Sequence, residues 1–242
     1  MWLLLLVLGC GQSEPTPTEA ESAHTPTDVE MVAAMEVHYD AAIAAHDAVI
    51  AGDLDKARAS LSALSKASLP DGSPEAWAPL HEVMKRAAET GAEAKTVEAV
   101  GMAIAAVGQA CGSCHGALNR GPVYPTPAEP GAAEVLTENM KTHQWGAERL
   151  WSGLTHPSDY AWGRGAAALS EASALGEEGA PELAEFVAVF STVASASAKA
   201  SGAGRAENYG KLLGTCASCH AAVGVKLVSK DAPPSPSAPL HK

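Results

Sequence analysis

One pentapeptide returns in register 105 positions along the chain: Cys111-Gly112-Ser113-Cys114-His115 becomes Cys216-Ala217-Ser218-Cys219-His220. The same offset carries Met35 onto Met140 and His38 onto His143. It also carries Ala63-Leu64-Ser65-Lys66-Ala67-Ser68 onto Ala168-Leu169-Ser170-Glu171-Ala172-Ser173 without a gap. A period this long exceeds a solenoid unit and matches a small domain. The chain therefore reads as two copies of one unit, residues 27–120 and 131–228. Between them, 121–130 holds four prolines, which suits a stiff linker.

The repeated motif has a specific chemistry. In Cys-x-x-Cys-His two thiols add to the vinyl groups of a porphyrin and the adjacent imidazole ligates its iron. On a helix, positions i and i+3 share a face, so both sulfurs reach one porphyrin edge. A zinc site built from two Cys-x-x-Cys pairs needs them about 15–20 residues apart. Here a whole domain separates them. Thioredoxin-like chemistry needs a βαβ setting that the pattern lacks, and no Gly-rich phosphate loop or Ser/His/Asp triad is evident. The expected cofactors are two covalently bound haem c groups, on Cys111 and Cys114 and on Cys216 and Cys219.

Composition agrees with a cofactor-filled interior. Aromatic residues make up 5% of the 242 residues, so two small domains would have thin cores unless a flat apolar group fills each. The formal net charge of −12 disfavours nucleic acid and anionic membrane surfaces as partners. Four of the five cysteines lie in the motifs, and the fifth is Cys10. It follows the apolar run Trp2 to Leu8, and Val7-Leu8-Gly9-Cys10 approximates a bacterial lipobox with Cys10 as the lipidated residue. No Lys or Arg precedes the run, and it is shorter than an ordinary secretory signal. Residues 1–10 are thus expected to be a signal with a lipid-attachment cysteine, or a cleaved signal with a free thiol. Either reading places the protein in the periplasm or at the cell surface, with membrane contact only through that anchor. The run is too short to span a bilayer, and no other stretch is read as long enough. Segments 11–26 and 229–242 are polar and proline-rich and read as a disordered tether and tail.

Helix signals fill both units. Thr27 to Glu30 forms a capping box, and helix is expected from there to about residue 51, stopped by Gly52. Further helices are expected at 54–68 after Asp53, at 74–90 with Pro74 at its first position and Gly91 at its end, and at 93–118 carrying the motif. The second unit repeats the plan at 132–153, 158–175, 181–200 and 204–227. No run alternates as a strand would. The expected fold is all-α, two tandem four-helix bundles, each with a haem attached near the end of its last helix.

A four-helix unit with Cys-x-x-Cys-His near the end of its last helix resembles the class II c-type cytochromes, the cytochrome c′ and cytochrome c-556 family. That resemblance covers nearly all of each unit. It implies His115 and His220 as the ligands on the attachment side of each iron. It also implies a sixth position that is vacant or filled by a methionine of the first helix. Members of that class often pair through their first two helices, which makes the same seam the expected one between these units.

The first helix of each unit offers two sixth-ligand candidates on one face, Met35 with His38 and Met140 with His143. Methionine raises the reduction potential, a second histidine leaves it lower, and a vacant position admits a small gas. The expected function is single-electron transfer in the cell envelope, with redox proteins as partners and no enzymatic turnover. The alternative is a haem protein that binds nitric oxide or carbon monoxide at an open position. A peroxidase would need an acid/base set beside an open haem, and none is evident. His24, His81, His156 and His241 lack counterparts at the repeat offset and read as surface residues. Trp77, Trp145, Trp151 and Trp162 read as core or haem-wall residues.

Overall fold

Thr27 accepts the Glu30 N–H on its hydroxyl at 3.3 Å, and Glu30 Oε2 accepts the Thr27 N–H at 2.7 Å. This reciprocal box starts α1 (Asp28–Ile50). Asp53 accepts the Lys56 N–H at 3.0 Å and opens α2 (Leu54–Leu64). A 3₁₀ turn at Glu75–Trp77 leads into α3 (Ala78–Glu93), and Thr96 caps α4 (Val97–Leu118). The second half contributes α5 (Leu136–Thr155), α6 (Asp159–Ala172), α7 (Ala184–Ser197) and α8 (Ala203–Val223). The computed structural model describes residues 25–122, 124, 126–131, 136–172 and 183–224, and every regular element among them is helical. The signal segment 1–10 with Cys10, the tether up to residue 24, and the tail 229–242 lie outside the described residues. So do parts of the linker and the connection 173–182.

Helix positions follow the sequence signals closely, with four departures, the first being that α4, expected from 93, begins at Val97 after Thr96. Pro74 stands outside the helix at φ −54°, ψ 132°, and α3 begins four residues later with Pro79 in its first turn. The α2 helix ends at Leu64 rather than 68. Gly91 does not stop α3. It lies inside the helix, buried, where a Cβ would overlap Leu61 and come within 2.7 Å of the Ala103 Cβ. Its role is close approach rather than termination.

Within each half, neighbours in sequence are neighbours in space: α1 on α2, α2 on α3, α3 on α4, and likewise α5 through α8. The halves meet mainly where α4 packs on α8, with α4 also touching α5 and α1 touching α8. The seam therefore runs along the two motif helices, not along the first two helices of each half. Small side chains explain this. A Cβ on Gly101 would lie 3.0 Å from the Gly210 carbonyl oxygen, and one on Gly210 would lie 2.8 Å from the Met102 Cα. Buried Ala105 and Ala206 complete the stripe at equivalent positions. Backbones this close exclude larger residues on these two faces.

The crossing is antiparallel. Gly210 meets Gly101 and Met102, while Ser218 Oγ donates to Glu98 Oε1 at 3.2 Å. The second motif is thus level with the start of α4, and the first motif lies about 24 Å further along that helix at 1.5 Å per residue. One continuous core serves both halves, taking Val49, Leu61 and Ile104 from the first and Leu150, Trp162, Tyr209 and Leu213 from the second. The α4 helix, 22 residues long, is long and apolar enough to cross a membrane by length and composition alone. The expectation that no stretch reaches that length does not hold for it. In this fold its Val100, Ile104 and Val107 are buried in the core.

Candidate functional site

Both motifs lie one turn before a left-handed helix end. Asn119 at φ 48° closes α4, and Gly224 at φ 66°, its repeat partner, closes α8. All four motif cysteines are free thiols of intermediate burial. Burial, reinforced by the neighbouring Cys114 thiol, pushes Cys111 up to about 12, and burial beside Cys219 does the same to Cys216. Burial also raises Cys114 and Cys219.

The motif histidines are held by the opposite half. His115 Nδ1 donates to the Thr155 carbonyl on α5 at 2.8 Å, and His220 Nδ1 donates to the Ile50 carbonyl on α1 at 2.9 Å. The two acceptors are themselves repeat partners, since Ile50 maps onto Thr155 at the offset of 105. A carbonyl can only accept, so each ring is fixed with its proton on Nδ1 and its lone pair on Nε2. That is the tautomer and the support that a metal-ligating imidazole requires. Gly112 makes the first of these contacts possible, because a Cβ there would overlap the Leu154 carbonyl oxygen.

The sixth-ligand candidates separate clearly. His38 is 8% exposed, and its Nε2 is buried without a hydrogen-bond partner. His143 also has a buried, unpartnered Nε2. Burial holds both rings down to about 4. A positive His115 near His38 and a positive His220 near His143 would lower them further, while backbone hydrogen bonds at Ser68 and Ala172 act the other way. Each candidate is therefore near the motif histidine of its own half. Met35 and Met140 are only partly buried. An imidazole nitrogen buried with nothing to bond costs roughly 1–3 kcal/mol, a cost that a metal bond would remove.

Those two histidines dictate an acid response of the haem-free chain. Above pH 6.5 they are neutral folded or unfolded. As pH falls from 6.5 towards 4, the unfolded chain takes protons on both while the fold refuses them, so stability drains across that window. The expected loss is on the order of 2–3 kcal/mol per residue, and His38→Gln with His143→Gln should reduce it, leaving the part due to His81 and His115, which burial also lowers. Denaturant melts of the apo-protein at pH 7, 5.5 and 4 would check this.

Several residues at the sites carry no sequence signal at the repeat offset. His81 on α3 stacks on His38 with ring centroids 5.2 Å apart, and its Nε2 is buried and unpartnered. His156 lies near His115 with a buried, unpartnered Nδ1. Both depart from their expected surface placement, because the ends of α3 and α5 close over the first motif. Tyr124 in the linker accepts from Thr155 Oγ1 at 3.2 Å. Along the seam, His46, Trp151 and Tyr209 form a ring cluster with centroid separations of 5.8–6.1 Å. Tyr209 is fully buried, and its hydroxyl bridges His46 Nε2 at 2.8 Å and the Ala147 carbonyl at 3.3 Å. Trp145, Trp151 and Trp162 are buried as expected of core residues.

Among the described residues no three His, Cys, Asp or Glu side chains converge as a protein-only metal site. A haem iron asks only two axial ligands of the protein. The chain matches no family model, no curated protein and no solved structure.

Proposed function

We propose that this chain is a dihaem c-type cytochrome of the cell envelope that carries single electrons between protein partners. The observation that carries the reading is the reciprocal anchoring of His115 and His220 through Nδ1, each near a second imidazole, His38 or His143, whose Nε2 is buried and unpartnered. Chance placement does not account for a lone-pair nitrogen and an orphan nitrogen paired twice at one repeat offset. In this reading Cys111 and Cys114 hold one haem and Cys216 and Cys219 the other. Each iron, when bound, supplies the Fe(II)/Fe(III) couple. The residues do the rest. Backbone carbonyls on Thr155 and Ile50 fix the rings and raise their basicity. His38 and His143, rather than Met35 and Met140, would hold the sixth positions, because their Nε2 atoms are buried and unpartnered. Irons held on both sides in this way would leave no open position for a gas, which is the carrier reading. The two haem units belong to class II-like four-helix bundles fused along α4 and α8, and the His46, Trp151 and Tyr209 rings lie along the seam between the two motifs.

Expression in a host that matures c-type cytochromes tests this directly. The expected product carries two covalent haems by mass, falls to one with Cys111→Ala/Cys114→Ala, and is low-spin in both oxidation states. His143→Ala should turn one of its two haems high-spin. Absence of covalent haem would sink the proposal. A high-spin wild-type ferrous form with rapid carbon monoxide uptake would replace it with the gas-binding reading.

A further inference from the structure

The two sites are not equivalent, and the difference lies in imidazoles. Near the first motif the fold gathers His38, His81, His115 and His156. Near the second it gathers His143 and His220, and Phe190 stacks on His143 at a centroid separation of 4.3 Å where His81 stacks on His38. Phe190 is not the repeat partner of His81. It lies one helical turn beyond that position on α7, so the same place against the first helix is reached from a shifted register.

We propose that His81 is a second sixth ligand for the first haem, able to replace His38. This rests on the dihaem reading above. Three observations converge on it. His81 Nε2 is buried with no partner, the same condition as His38 Nε2 beside it. The rings stack nearly parallel, 23° between planes with centroids 5.2 Å apart, so the two imidazoles are immediate neighbours. The equivalent place in the second half carries a phenyl ring, which fills the same space with no nitrogen. A packing role alone would be met better by Phe, as Phe190 meets it, without burying an unsatisfied nitrogen at a cost of roughly 1–3 kcal/mol. Neutral imidazole offers its lone pair to iron, so the exchange needs no oxidant or proton source. His81 would then hold the iron in place of His38.

The test compares single and double variants of the matured protein by electronic absorption, electron paramagnetic resonance and carbon monoxide binding. His38→Ala should keep its first haem low-spin with a bis-imidazole signature. His38→Ala/His81→Phe, which copies the packing of the second half, should turn that haem high-spin and let the ferrous form bind carbon monoxide. His143→Ala, with Phe190 beside it, should turn the second haem high-spin at once. A first haem that is already high-spin in His38→Ala overturns the proposal. So does one that stays low-spin in the double variant, since another ligand would then be at work. His38→Gln carries the same comparison if the alanine variant fails to fold. Loss of covalent haem from the wild type would instead refute the underlying cytochrome reading, and haem mass per chain distinguishes the two failures.

Discussion

Gly112→Val is expected to unseat the first site while leaving the second nearly intact. A side chain at this position meets the Leu154 backbone, which cannot rotate out of the way as a side-chain tip would. The end of α5 must move off α4, and Thr155 moves with it. Overpacking of this kind costs typically 1–3 kcal/mol, and a β-branched residue lies at the upper end. The larger effect is chemical. Once Thr155 withdraws, His115 Nδ1 loses its acceptor at 2.8 Å, and the imidazole becomes a poorer donor to ferric iron. On the proposed dihaem reading, the reduction potential of the first haem should therefore rise while that of the second stays put. Potentiometric titration should resolve one wave that moves and one that does not. Ala217 occupies the equivalent position on α8 and is 1% exposed. The second seam thus already accommodates a Cβ, and Ala217→Gly should shift neither potential by a comparable amount. A Gly112→Val protein whose two waves move together would show that the carbonyl anchor is not what tunes His115.

Much of this arrangement is legible in the chain, and the reasons differ by residue. Thr27 and Asp53 mark helix starts because a side-chain oxygen and an orphan N–H lie within a few residues of each other, a purely local relation, whereas the Thr96 cap is not picked out and the expected α4 starts four residues too early. Repeat arithmetic picks out His38 and His143 together with Met35 and Met140, since position is preserved when a unit is duplicated. It also pairs Ile50 with Thr155, but nothing in either residue type announces a backbone carbonyl as the anchor of a histidine on the other half. Backbone acceptors carry no sequence signature. His81 and Phe190 escape for another reason. They fill one place from registers a turn apart, so an offset of 105 links His81 to Phe186 instead. The seam through the first two helices is what the resemblance implies, and the residues that make the observed one, Gly101 and Gly210, carry no such signal in isolation. Only opposed across two helices do they become the means of close approach.

The seam itself makes a second strong expectation: Tyr209→Ala should destabilise both halves together. Tyr209 is fully buried on α8, and it touches α1 through His46 and α5 through the Ala147 carbonyl. Removing a buried aromatic ring to Cβ costs roughly 3–5 kcal/mol, against a whole-domain stability of about 5–15 kcal/mol. Tyr209→Phe separates the two contributions. It keeps the ring among His46 and Trp151 but strands the His46 Nε2, 6% exposed on its residue, at about 1–3 kcal/mol. Because Val49 and Ile104 share one core with Leu150 and Leu213, unfolding cannot be confined to the half that bears the substitution. Far-ultraviolet circular dichroism and absorption of each haem, followed through urea, should therefore give coincident transitions for the wild type and for both variants. Their order should be wild type, then Phe, then Ala. Two separated transitions in Tyr209→Ala, with the first half melting at the wild-type midpoint, would mean that the halves are independent bundles resting against each other. In that event the carbonyl anchors on His115 and His220 would be contacts of docking rather than of folding, and each iron site would outlast the loss of its neighbour.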